Sequence, residues 1–202
     1  MSSDMTIPTD LCLDGPLWQF AGRYWSQPDA QTAALALQEK GWSVTDVLCA
    51  LWLALKAEKF SGFNDEQVVV WRNQVTETLR KVRKAVGKGN PATDQARSCI
   101  ARSELEAERA ELALAYHLLA RETVTMTAPK QSAAKADTSK ESPTKTSPTK
   151  TLALENLQAA APEKAMDIET GRLLETLIDE LQSFTERDFS EKNSDAGARQ
   201  PC

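Results

Sequence analysis

The chain has 202 residues, 26% of them charged, 6% aromatic, and a formal net charge of −5 at pH 7. That length suits one domain of ordinary size plus extensions. The longest apolar stretch, Val47 to Leu55, is under half of the ~20 residues a membrane span needs. Four scattered cysteines (Cys12, Cys49, Cys99, Cys202) and one histidine, His117, exclude a zinc set of the usual spacing.

The charge is unevenly spread. Residues 1–126 hold 14 Lys/Arg against 16 Asp/Glu, residues 127–151 hold 5 against 2, and residues 152–202 hold 5 against 11. A nearly neutral domain, a basic linker and an acidic tail are expected. All five tryptophans lie between positions 18 and 71. Such large apolar anchors need a packed core or a partner, so the folded domain starts there.

In chain order, Met1 to Asp14 carries acids and no basic segment before an apolar run, so no secretory signal is expected. Pro16 to Trp25 predicts a short helix with Pro at its first turn. Leu17, Phe20, Ala21 and Tyr24 share one face. Pro28 opens a second helix, to about Lys40, with Gly41 as its C-terminal cap. Ser43 to Lys59 is the clearest helix: Val44, Val47, Leu48, Leu51, Trp52 and Leu55 form a core-facing stripe.

After Gly62, Asn64 is expected to cap a long helix, with Gln67 as its capping-box partner. Val68, Trp71, Val75, Leu79, Val82 and Val86 follow one helical line. Gly87-Lys88-Gly89-Asn90-Pro91 predicts a turn before a last domain helix running to about Glu122. That helix carries two stripes, Ile100/Ala107/Leu114 and Leu105/Leu112/Leu119.

From Thr123 to Thr151 no periodicity survives, and Ser142 to Thr151 is Ser-Pro-Thr-Lys-Thr written twice. Such a tract cannot bury enough apolar surface to order itself. A weak helix over Leu152 to Ala161 is followed by one capped by Asp167 and running to about Arg187. The fold expected is therefore all-α: a compact bundle of about five helices over 11–122, then a disordered Lys/Ser/Thr/Pro linker over 123–151. An amphipathic helical tail follows over 152–189, and 190–202 is expected to be disordered.

Several runs carry a family resemblance: Leu17-Trp18-Gln19-Phe20-Ala21, Leu35-Ala36-Leu37-Gln38-Glu39 and Val47-Leu48-Cys49-Ala50-Leu51-Trp52-Leu53. Trp71-Arg72, Leu79-Arg80-Lys81-Val82-Arg83 and Glu104-Leu105-Glu106-Ala107-Glu108 join them. Over about residues 16 to 120 the chain resembles the small bacterial proteins, mainly gammaproteobacterial, catalogued as domain of unknown function 2390. The resemblance implies an all-helical cytoplasmic protein and brings no catalytic residues.

Read for chemistry, the chain gives few leads. Gly41-Trp42-Ser43-Val44-Thr45 lacks the second glycine and preceding strand of a nucleophile elbow, so Ser43 is expected as a helix cap. Gly87-Lys88-Gly89 lacks the spacing of a phosphate loop. His117 has no nameable orienting partner, as a catalytic base would need. Glu104, Glu106, Glu108 and Glu111 lack the Glu-x-x-His pairs of a di-metal bundle and predict a solvated acidic face. No catalytic, cofactor or metal site is expected.

Two interaction features remain. The first is a basic patch of Arg80, Lys81, Arg83, Lys84 and Lys88. A hairpin centred near residue 89 would set Arg80 opposite Ser98 and Lys84 opposite Asp94, and the glutamates opposite 67–74. The patch would then be only partly neutralised and open to phosphate-rich partners such as RNA. The second is the tail stripe Leu174, Leu177, Ile178, Leu181 and Phe184, a ready helix-in-groove ligand for a protein partner or for the chain's own domain. The expectation is a non-enzymatic cytoplasmic interaction or adaptor protein. The alternatives are an RNA- or ribosome-associated protein, and a ligand binder or enzyme with a pocket around Trp18, Trp42 and Trp52.

Overall fold

A computed structural model describes residues 6–63, 66–126, 148–162 and 167–192. Its order is α1 (Pro16–Trp25), α2 (Pro28–Glu39), α3 (Val44–Leu55), α4 (Glu66–Trp71), a π-helical turn (Arg72–Thr76), α5 (Glu77–Ala85), α6 (Asp94–Met126), α7 (Pro148–Ala159) and α8 (Ile168–Lys192). Among the described residues there is no strand, and the chain is all-α. The Asn64 cap and the tracts 127–147 and 193–202 lie outside the described residues.

Local chemistry sets the first three helices. Gly15 precedes Pro16, whose missing N–H is one of the unpaired donors of a first turn. At the end of α2 the Trp42 amide donates to the Leu37 carbonyl at 3.1 Å and the Gly41 amide to Gln38 at 3.0 Å. Gly41 takes φ 91° there, a left-handed conformation that glycine adopts without steric cost. Ser43 caps α3 by accepting the Asp46 amide at 3.2 Å. That helix is buried on every side, from Val47 through Ala54, so it is the central element.

The covering of α3 and α2 corrects the expected organisation. α7 packs chiefly on α3 and α8 on α2. Leu157, Leu174, Leu177, Ile178 and Leu181 are buried in the same core as Leu17, Leu37 and Leu51. Phe184 meets Phe20 edge-on at 5.5 Å, with Arg23 over its outer face. Of the two covers expected for the tail stripe, a protein partner or the chain's own domain, it takes the second. Area explains this: an all-round apolar α3 needs more cover than α1, α2 and α6 supply. α7 also begins at Pro148, inside the tract expected to be unstructured. The Asp167 cap is in place, accepting the Thr170 amide at 2.7 Å.

The second correction concerns the long helix after residue 64. Its line of Val68, Trp71, Val75, Leu79, Val82 and Val86 is not continuous in space. A π turn inserts one extra residue, which rotates everything after it by about one position. Val68 is buried, but beyond Trp71 the inward residues are Thr76 and Arg80, while Val82 is 45% exposed. Polar side chains therefore face the interior of the α5–α6 hairpin.

Candidate functional site

That rotation builds an ionic network against α6. Arg72 forms a fork with Asp46, Nη1 to Oδ2 at 3.1 Å and Nη2 to Oδ1 at 2.5 Å, and its Nε donates to Glu111 Oε1 at 2.8 Å. Thr76 donates to the other Glu111 oxygen at 2.7 Å. One turn on, Arg80 donates to Glu104 at 3.1 Å, to Glu108 at 2.6 Å and to Glu77. Arg83 also binds Glu104, and Arg97 caps the α5 end by donating to the Arg83 and Val86 carbonyls. Trp71 fixes the register with an indole N–H donated to the Ala107 carbonyl at 3.0 Å.

The expected open basic patch is thereby corrected. Arg80 and Arg83 are spent on Glu104, Glu108 and Glu77, and Lys84 lies 3.4 Å from Glu39. Lys81 and Lys88 are exposed. The Trp71–Ala107 contact fits the expected hairpin register. Each helical side chain, however, leans toward its own N-terminus. Across an antiparallel pair the two leans add, so long side chains meet partners further along than the backbone register predicts. The expected solvated acidic face is likewise corrected, because Glu104 and Glu111 are buried, at 5% and 1% exposure.

Burial shapes the titration. It pushes the Asp46 carboxyl up, with Arg72 opposing. It also pushes Glu108 up, against the pull of Arg80. Burial disfavours the Glu104 carboxylate too, but Arg83 and Arg80 outweigh it and hold that group below its usual range.

The network forms one wall of a cleft of about 560 Å³, running between α1–α3 and the α5–α6 hairpin. The facing wall brings Trp18 and Trp25 from α1, Leu35 from α2, and Val44 and Leu48 from α3, with Gly22 between the two tryptophans in sequence. Leu35 and Leu105, both lining the cleft, are 44% and 50% exposed. Of the Trp18, Trp42 and Trp52 pocket, only Trp18 lines this cleft. Trp42 is buried, and Trp52 stacks edge-on with Tyr116 at 5.6 Å beneath Lys56. Sequence reasoning missed Trp25, Arg72 and Asp46 as site residues. The one available signal was an arginine beside Trp71 on an otherwise apolar line.

A second hollow, of about 510 Å³, gathers Asp10, Cys12, Tyr116, His117 and Arg121. Cys49 is wholly buried and its thiol is pushed well up by desolvation, with Asp46 adding to it. Among the described residues no group of three or more His, Cys, Asp or Glu is placed to hold a metal ion. No described helix is long and apolar enough to cross a membrane.

An all-helical domain with a tryptophan-lined, ion-paired cleft is the class of protein defined here. Residues 16–115 match the family described as Protein of unknown function (DUF2390), so this part of the chain is a domain of that family. No curated protein and no solved structure matches it.

Proposed function

We propose that this chain is a non-enzymatic cytoplasmic binding protein whose working surface is the α1–α3/α5–α6 cleft. The single observation that carries this reading is the cleft's composition. It has a pocket's size, an apolar wall with two tryptophans, and a polar wall pre-set by ion pairs. Pockets of roughly 300–1,000 Å³ with few, well-placed polar groups are the usual form of small-molecule sites. Binding through the tail helix has less support, because its apolar stripe covers α2. RNA binding through residues 80–88 keeps only Lys81, Lys84 and Lys88 as exposed cations, so it is the weaker reading.

Gly22 supplies a clean test. It lines the cleft, and a Cβ built there meets nothing within 4 Å. Gly22→Leu therefore adds an apolar side chain at the cleft wall without a clash at its Cβ. Fractionated small-molecule extract is expected to raise the melting temperature of the full chain and to leave Gly22→Leu unmoved. If no fraction shifts the parent chain, or both proteins respond alike, the cleft is not the binding site.

A further inference from the structure

The polar wall has more negative than positive charge, and its spare acceptors point to a ligand class. Arg72, Arg80 and Arg83 face Glu77, Glu104, Glu108 and Glu111 along the cleft, and Asp46 stands behind Arg72 as a fifth carboxylate. Each arginine is already paired, Arg83 with Glu104 alone through its Nε and Nη2. Arg72 is shared between two carboxylates and Arg80 among three. Among the carboxylates, both oxygens of Asp46, Glu104 and Glu111 accept hydrogen bonds. Glu77 and Glu108 differ. Each gives only its Oε1 to Arg80, and among the described residues the Oε2 of each accepts nothing. Their side chains are 35% and 36% exposed, the most open of the acids bound to Arg80.

An anion entering this cleft would meet three arginines, each already paired with at least one carboxylate, among four glutamates. A neutral apolar body would fit the tryptophan wall but leave the two acceptors and the charge excess uncompensated. The geometry points to a small organic cation: an amine, amidine or guanidinium on a flat apolar body. Its N–H donors reach Glu77 and Glu108 while its body lies along Trp18 and Trp25. Ionised donors to carboxylates give the stronger hydrogen bonds, and tryptophan faces attract cations within about 6 Å of the ring. Arg109 already stands in this relation to Trp18, at 5.7 Å from its ring centre.

This inference rests on the cleft being the binding site, and the test separates the two. The full chain is titrated with benzamidine, phenethylamine, benzyl alcohol and benzoate, following tryptophan fluorescence and binding heat. The two cations are expected to bind at least about tenfold more tightly than benzyl alcohol, with benzoate weakest, a difference of about 1.4 kcal/mol or more. Glu77→Gln/Glu108→Gln, which keeps the shape of both side chains, is expected to lose that tenfold preference. Gly22→Leu is expected to lose binding of every probe. Benzyl alcohol or benzoate binding as well as the cations overturns the charge assignment and leaves the cleft as the site. The charge assignment also falls, with the cleft still standing, if no probe binds while an extract fraction stabilises the parent chain but not Gly22→Leu. Unchanged cation affinity in the folded double Gln variant overturns it as well.

Discussion

The Asn156 side chain of α7 accepts the Phe60 backbone amide at 2.9 Å, across 96 residues of sequence. Its Nδ2 donates to the Ala50 carbonyl at 3.1 Å and to the Glu58 carbonyl at 3.0 Å. One buried carboxamide thus ties α7 to three backbone groups, one within α3 and two in the segment that follows it. The chain turns there through Ala57 in the left-handed region, at φ 57°, a conformation disfavoured for any residue with a Cβ. Asn156→Ala leaves the Phe60 N–H buried without its acceptor and removes two donors. A loss on the order of 2–4 kcal/mol is expected, since each orphaned buried group costs about 1–3 kcal/mol. Urea unfolding would show it as a lower midpoint at unchanged slope. A midpoint matching the parent would mean that α7 does not hold this turn.

Arg72 is the second dependence. Asp46 is 17% exposed and Glu111 2%, and both pair with this one guanidinium, Glu111 having Thr76 as its other donor. Arg72→Met strands two carboxylates, and breaking a buried pair from one side costs about 3–5 kcal/mol. That loss is expected at pH 7 by denaturant titration, with part of it recovered in acid, where Asp46, whose carboxyl burial pushes up, is protonated. A loss below about 1 kcal/mol would mean that the network is solvated in solution.

How much of this was readable beforehand follows from the range of each interaction. The α3 stripe, the Gly41 turn and the Ser43 and Asp167 caps depend on residues within one or two turns, and all stand where periodicity and capping chemistry place them. The π turn at Arg72–Thr76 has no periodicity of its own, and the valines around it run on as though the helix were regular. Partner choice in the hairpin needed the lean of each side chain, which residue spacing does not contain. The covering of α2 by Leu174, Leu177 and Leu181 spans more than a hundred residues. An amphipathic stripe says that it will be covered, not by what.

The acid network gives a pH profile with a definite sign. Asp46 and Glu108 are pushed up, so the folded state holds more protons than the unfolded chain above the ordinary carboxyl range near pH 4. Stability therefore falls as pH rises through the window between that range and their folded values. Glu104 and Asp167 are shifted down, so their contribution is present above about pH 4 and is lost as pH falls through their folded values. A melting temperature highest in mild acid and lower on either side is expected. Glu108→Gln should soften the decline on the alkaline side. A melting temperature climbing steadily to about pH 8 would contradict this assignment.

Gly22 also bears on stability. It sits inside α1 with ordinary helical backbone and open space at its Cβ. Glycine in a helix interior costs about 0.5–1 kcal/mol relative to alanine. Gly22→Ala is expected to raise stability by roughly 0.4–1 kcal/mol, seen as a melting temperature a few degrees higher. A lower melting temperature would mean that the α1 backbone there departs from a helix.

The segment beyond residue 147 should behave as part of the fold rather than as an appendage. Leu157, Leu174 and Leu177 are 0% exposed and Leu181 1%, and Tyr24 donates a hydrogen bond of 2.7 Å to the Leu177 carbonyl. All five positions of the stripe after Asp167 lie outside the 16–115 family match, yet they cover helices inside it. A chain ending at residue 126 would expose the α7-facing side of α3 and the α8-facing side of α2, and exposed apolar patches of that kind promote association. Such a fragment is expected to bind a hydrophobic dye and to unfold without a sharp transition. A synthetic 148–192 peptide added in excess should restore cooperative unfolding, because ligands of the folded state stabilise it by mass action. Tyr24→Phe in the full chain should cost only about 1 kcal/mol, since the Leu177 carbonyl keeps its place in the α8 ladder and the ring stays stacked on Phe20 at 5.4 Å. Sharp unfolding of residues 1–126 alone, at the parent midpoint, would show that α7 and α8 only rest on a core that is complete without them.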